Sequence, residues 1–258
     1  MPESATYIYC LVERARRPVL RHLPRGLPFA TTPELIDLGK RLWAVAATVP
    51  LDEYGSEPLE RRLTDINWVA DIALAHEGVV EYFASRTGAT VVPMKLFTMF
   101  SSRERAATEL AKRRRQIAPV LARIRGCREW GVRVTRRPLA ATAAAAPAAR
   151  SSGTAFLAAK KQARDEVRER ALRSAAAAEA VVATLSRLAR ASVRREPPEN
   201  AAAPPLVDAA FLVAAANNAR FRAAAEKSAK ACRAAGADLV LTGPWPAYNF
   251  VQQMPEPA

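Results

Sequence analysis

The spacing of apolar residues along the chain changes period several times, and each change predicts an element. Tyr7 to Val12, rich in tyrosine and branched aliphatics, reads as a first strand. A basic loop punctuated by Pro18, Pro24, Gly26 and Pro28 follows, and Leu42 to Val49 reads as a second strand ending at Pro50. From Pro58 the period becomes helical: Leu59, Leu63, Ile66, Ala70, Ala73, Val80 and Phe83 predict one amphipathic helix that Gly88 ends. Thr90 to Phe100 predicts a strand with Pro93 at its start or on an edge. Ser101-Ser102-Arg103-Glu104 then opens a helix with Leu110, Ile117, Leu121 and Ile124 on one face, Pro119 as its kink and Gly126 as its end.

The second half repeats the alternation. Trp130 to Thr135 predicts a strand, and Leu139 to Gly153 is a low-complexity Ala, Thr, Ser and Pro patch read as a variable insertion. Thr154 to Arg194 predicts a long charged helix whose apolar stripe is sparse: Phe156, Val167, Leu172, Val181, Leu185 and Leu188. Glu196 to Asn200 reads as a linker, Val207 to Ala214 as a strand, Asn217 to Ala235 as a helix and Asp238 to Thr242 as a last strand. Strand, helix, strand, helix, strand is most of a ferredoxin-like α/β sandwich. The predicted fold class is therefore α+β in two domains: an N-terminal α+β domain over 1–126, and a ferredoxin-like domain over 127–258 carrying the insertion at 139–153.

Composition narrows the function classes. With 258 residues, half of them hydrophobic, the chain can bury a core without staples. Cys10, Cys127 and Cys232 are too few and too scattered for a disulfide framework or a thiolate zinc site, so reduced cytosolic thiols are expected. Met1-Pro2-Glu3-Ser4 lacks the pattern of a cleaved secretory signal, and the apolar tract Leu139 to Ala149 is shorter than the roughly 20 residues that span a bilayer. No membrane association is expected. A net charge of +14 would attract acidic surfaces, but only 7 of the 39 basic residues are lysine, the Arg and Ala excess that a GC-rich coding bias produces. A basic nucleic-acid-binding protein, using Lys112-Arg113-Arg114-Arg115 and the helix near Arg164 to Arg173, is the alternative reading.

Catalytic patterns are missing. His22 lies in the basic loop, and His76 has no second histidine four residues on, so it reads as a structural histidine. Glycine-rich phosphate loops and serine nucleophile elbows do not occur, and runs such as Arg164-Asp165-Glu166 read as solvated ion-paired helix faces. No enzyme activity, cofactor, metal or small-molecule substrate is expected. Gly243 to Phe250 is different: it sets rigid aromatics among prolines after a strand. Trp245, Tyr248 and Phe250 are candidate partner-binding anchors, with packing onto the protein's own sheet as the competing reading.

Six stretches carry a family likeness: Tyr7-Ile8-Tyr9-Cys10, Pro50-Leu51-Asp52-Glu53-Tyr54-Gly55, Ala75-His76-Glu77 with Val79-Val80, Val92-Pro93-Met94-Lys95-Leu96-Phe97-Thr98, Arg128-Glu129-Trp130-Gly131-Val132 and Gly243-Pro244-Trp245-Pro246-Ala247-Tyr248-Asn249-Phe250-Val251. In these residues the chain resembles the gas vesicle accessory proteins of the GvpF/GvpL family. Six such stretches in one order are specific. The resemblance implies two α+β domains, the second a modified ferredoxin-like fold. It further implies a minor vesicle component and assembly factor, located on the gas vesicle and in the cytoplasm. Such a factor contacts the hydrophobic shell protein, prevents its aggregation during nucleation, and associates with other accessory proteins. The alanine-rich stretch and the high arginine content depart from the family pattern.

Overall fold

The computed structural model describes residues 3–86, 88–138, 153–196 and 203–251. Mixed helix and strand build two sheets, and the chain divides into two compact units. Unit 1 takes Met1–Glu129 together with Pro244–Ala258, and unit 2 takes Trp130–Gly243.

Unit 1 begins with β1 (Ser4–Glu13), β2 (Glu34–Asp37) and β3 (Leu42–Pro50). Three helices follow, α1 (Leu51–Tyr54), α2 (Ser56–Arg62) and α3 (Ile66–Ala84), then β4 (Thr90–Pro93) and β5 (Met99–Phe100), then α4 (Arg103–Lys112) and α5 (Arg114–Ile124). The sheet order is β2-β3-β1-β4, with β5 also pairing β1. All its pairings are antiparallel, from Ser4 opposite Pro50 to Glu13 opposite Leu42 in the longest. β4 lies at the sheet edge, where Pro93 removes no internal ladder donor.

A bulge between Ile8 and Cys10 interrupts the alternation of β1. The extra residue lets the consecutive Tyr9 and Cys10 join Tyr7 and Val12 in one core cluster with Ile72, Val79, Val80 and Phe83 of α3. Each large side chain buried there contributes about 1.5–3 kcal/mol. Tyr7 and Tyr9 pack edge to face at 4.9 Å between ring centroids, which aims both hydroxyls at polar partners. α4 packs against β1, β2 and β5, and α5 against β4.

Unit 2 is built from β6 (Cys127–Arg136), α6 (Gly153–Ser186), β7 (Ala191–Arg194), β8 (Val207–Ala214), α7 (Asn218–Ala234) and β9 (Ala237–Trp245). Its sheet order is β7-β8-β6-β9. Trp130, Val132 and Val134 of β6 and Phe211 and Val213 of β8 meet Ala178, Val181 and Leu185 of α6 and Phe221 and Ala225 of α7. Alternate residues of the strands enter this cluster, as a pleated strand requires.

Several expected elements are divided. The helix expected from Pro58 breaks at Leu63-Thr64-Asp65, because the Asp65 carboxylate accepts from the Asn67 and Trp68 backbone N–H groups, at 3.0 and 3.3 Å, and caps α3. Leu63 is exposed and Ile66 is 80% exposed, so neither belongs to the core face assigned to them. The strand expected over Thr90 to Phe100 is interrupted by a turn in which Phe97 adopts a φ of 62° and Lys95 O accepts from Thr98. The following helix breaks at Arg113, upstream of Pro119, which sits inside α5. Arg194 does not end a helix. α6 stops at Ser186, and Ala191 to Arg194 pair antiparallel with Leu212 to Ala209, a backbone pairing that overrides the helical period. β2 was not expected. Of the expected insertion over 139–153, residues 139–152 lie outside the described residues, as do 197–200 of the expected linker. The two compact units divide between Glu129 and Trp130, and residues from Pro244 group with unit 1, where their polar and apolar partners lie.

Candidate partner-binding segment

β9 ends at Trp245, and a single 3-10 turn, Tyr248–Phe250, follows. Within unit 1 this segment is tied at four successive points. The Pro244 carbonyl accepts from Arg128 Nη2 at 2.9 Å, and the same guanidinium nitrogen donates to both carboxylate oxygens of Glu81, at 2.8 and 2.6 Å. The Tyr248 hydroxyl donates a short hydrogen bond to Glu77 Oε2. Asn249 donates from its backbone N–H to Glu129 Oε2 at 2.8 Å and from its side-chain amide to Glu129 Oε1. The Phe250 carbonyl accepts from Arg123 Nη2.

The sequence explains why these partners converge. Glu77 and Glu81 lie four apart on α3 and so share one helix face, next to the buried His76. Glu129 is buried at the start of β6, and such a carboxylate needs donors; Asn249 supplies two. Burial pushes the Glu77 carboxyl above its ordinary range and its neighbours Glu81 and Glu129 add to this, while the Tyr248 hydrogen bond and Arg128 oppose it. Burial and the Glu77 contact push the Tyr248 phenol upward, so it remains a donor.

The three candidate anchors separate. Phe250 is only 3% exposed, and Tyr248 is half-buried against the unit 1 core. Trp245 is 44% exposed and presents its ring to solvent. Glu77, Glu129 and Arg123 were not foreseen as partners of this segment; the one available signal was the pairing of acids with a donor-rich Tyr-Asn-Phe turn.

His76 is structural in its contacts. Its Nδ1 lies 2.7 Å from the Tyr7 hydroxyl, the Tyr9 ring stacks at a tilt 5.6 Å away, and burial lowers its pKa to about 4 with the Met94 backbone partly offsetting. The neutral imidazole thus shares a hydrogen bond with the Tyr7 hydroxyl, which burial keeps protonated. Tyr9, also pushed up by burial to about 12, accepts from the Leu27 N–H at 2.9 Å. The buried Cys10 thiol is pushed upward by burial, the reverse of what a nucleophilic thiolate requires. His22 lines an open cleft of about 470 Å³ with Arg14, Arg21, Tyr82 and Arg86. Among the described residues no three His, Cys, Asp or Glu side chains gather as a metal site would need, and no helix is long and apolar enough to cross a membrane.

The family model described as "Gas vesicle synthesis protein GvpL/GvpF" matches residues 5–252. The chain belongs to the GvpL/GvpF family. It is 30% identical over 254 residues to gas vesicle protein L of Streptomyces sp. (strain CB03234), covering 95% of this chain and 91% of that protein. Its fold is similar to the crystal structure of GvpF from Anabaena sp. PCC7120, with a TM-score of 0.68, 16% identity and 99% of each chain covered. It is also similar to GvpF from Microcystis aeruginosa, with a TM-score of 0.58, 12% identity and 96% and 99% of the two chains covered. Membership of the GvpL/GvpF family supports an accessory role in gas vesicles, and nothing in these likenesses supports the nucleic-acid alternative.

Proposed function

We propose that this GvpL/GvpF protein is a cytoplasmic assembly factor and minor gas vesicle component that binds the hydrophobic shell protein, and other accessory proteins, without catalysing a reaction. The observation that carries the reading is the family match across nearly the whole chain. A shell subunit facing gas must carry an apolar face that is an aggregation hazard in water before assembly, and a soluble binder with an aromatic anchor would cover it. Trp245 is that anchor. Tyr248 and Phe250 serve it indirectly, because their ties to Glu77 and Arg123 fix the chain that carries the indole. A rigidly held aromatic loses little entropy on docking. Unit 2 is a ferredoxin-like domain on this reading, supported by its element order β6-α6-β7-β8-α7-β9 and its sheet order.

The test is co-expression with the shell protein, measuring shell protein kept soluble and co-purified. Trp245→Ala is expected to reduce both strongly, and Tyr248→Phe, which keeps the ring and loses only the hydroxyl tied to Glu77, is expected to reduce them less. Full retention by a folded Trp245→Ala variant would remove the indole from the account. Failure of the unmodified protein to hold any shell protein would remove the binding role itself.

A further inference from the structure

α6 is two helices in one by environment. From Ser174 onward its stripe Ser174, Ala178, Val181 and Leu185 is buried against the unit 2 core. The same stripe continues toward the N-terminus at three- and four-residue steps through Ala171, Val167, Ala163, Lys160 and Phe156. Among the described residues nothing covers it there: 156–169 are exposed throughout, including the large apolar side chains of Phe156 and Val167. Three or four helical turns thus carry a packing face with no packing partner among the described residues.

Two observations say what chemistry fits. The first is charge. Lys160 lies on the stripe, and Lys161, Arg164 and Arg168 flank it; none of these four makes an ion pair or hydrogen bond among the described residues. Of the segment's three acids, Asp165 and Glu169 lie on the opposite face, Glu169 paired to Arg173 at 3.6 Å, and Glu166, the one acid on the stripe's margin, accepts from Gln162 at 3.1 Å. The rim of the stripe is therefore basic, which disfavours a second copy of the same face and favours an acidic one. The second is a groove of about 810 Å³ where the stripe meets the body of unit 2. Val167, Ala171, Pro205 and Leu206 line it, and Arg136 and Arg170 stand beside them. An apolar floor with arginines at its margin repeats the pattern of the helix above it.

We propose that the exposed half of α6, from Phe156 to Ala171, with the groove at its base, is a docking face for an acidic amphipathic helix of a partner protein. The partner lays an apolar stripe on Phe156, Ala163 and Val167, places carboxylates against Lys160, Lys161, Arg164 and Arg168, and seats one end in the groove. This is the helix-on-apolar-face mode of recognition, in which spaced side chains anchor and the charged rim sets partner choice. The apolar floor separates it from a phosphate-binding surface, which needs cations but no Val167 or Phe156. It stands apart from the Trp245 reading and survives if that reading fails.

The experiment uses the full chain and a fluorescent synthetic helix of about four heptads, with Leu at the seam positions and Glu around it; a matched helix with Lys in place of Glu is the control. Binding is read by anisotropy. The acidic helix is expected to bind and the basic one not. Val167→Glu should weaken binding at least about tenfold, and the combined Lys160→Glu and Arg164→Glu exchange by a similar factor. Leu172→Glu, on another face of the same helix, should leave it unchanged. All four positions are exposed on one helix, and equal circular dichroism and melting would establish that the variants fold. Equal binding of both helices, or no effect of Val167→Glu, overturns the proposal. So does tighter, steeply salt-dependent binding of duplex DNA that displaces the acidic helix. A concentration-dependent dimer that Val167→Glu dissolves would assign the face to a second copy and likewise overturn it.

Discussion

Replacing His76 by glutamine should flatten the acid sensitivity of unit 1. The folded-state pKa of His76 is about 4 because burial disfavours the imidazolium. In the unfolded chain it returns to about 6.5. Between those values the unfolded chain binds a proton that the folded chain refuses, so stability falls as pH falls through this window and is unaffected well above it. Going from pH 7 to about pH 4.5, the linkage amounts to about 2.5 kcal/mol. Glu77 acts in the opposite sense: its raised pKa lets the folded chain hold a proton that the unfolded chain has released, so it offsets part of the loss. Glutamine at position 76 does not titrate and can still hydrogen-bond the Tyr7 hydroxyl. The assay is urea unfolding followed by tryptophan fluorescence, since Trp43, Trp68 and Trp245 belong to unit 1 and only Trp130 to unit 2. The remaining carboxylates titrate alike in both proteins and cancel in the comparison. The pH 7 to 4.5 loss should be larger in the unmodified protein by about 2.5 kcal/mol. Equal losses would show that His76 is protonated, or reached by water, in the folded state.

Phe250→Ala, which removes a buried ring, should cost about 3–5 kcal/mol, while Trp245→Ala should cost less than about 1 kcal/mol; paired thermal melts compare them. Asp65→Ala removes the oxygen that accepts from Asn67 and Trp68 and should lower stability by about 1 kcal/mol, with faster amide exchange in the first turn of α3. Iodoacetamide should label Cys127 in the native protein and reach Cys10 and Cys232 only after denaturation, as mass spectrometry of the peptides would report, because burial both hides the latter two thiols and raises their pKa.

Where a segment's own periodicity agrees with what it packs against, the sequence was readable. Val207 to Ala214 is a strand with the expected ends, and Leu42 to Val49 differs from β3 by one residue. Boundaries failed where a single side chain or a distant strand decides them. Asp65 breaks a helical period because its carboxylate captures two N–H groups, and Val193 joins a strand because β8 offers it a ladder. The three aromatics of the C-terminal segment were recognisable as a group, but their division was not. Phe250 is buried and Trp245 exposed according to where Arg123, Glu77 and Glu129 lie, more than a hundred residues away along the chain in each case. Likewise the expected stripe on α6 was visible, yet only the structure divides it into a packed half and an uncovered one.

The chain order of unit 1 has a consequence for biosynthesis. Its sheet and helices leave the ribosome early, yet the turn bearing Tyr248 and Asn249 emerges only after all of unit 2 has been translated. Until then the nascent domain lacks the Tyr248 hydroxyl beside Glu77 and the two Asn249 donors to Glu129, so its consolidation waits until the chain has been made past residue 249, and a premature stop before codon 248 would release a domain without these three hydrogen bonds.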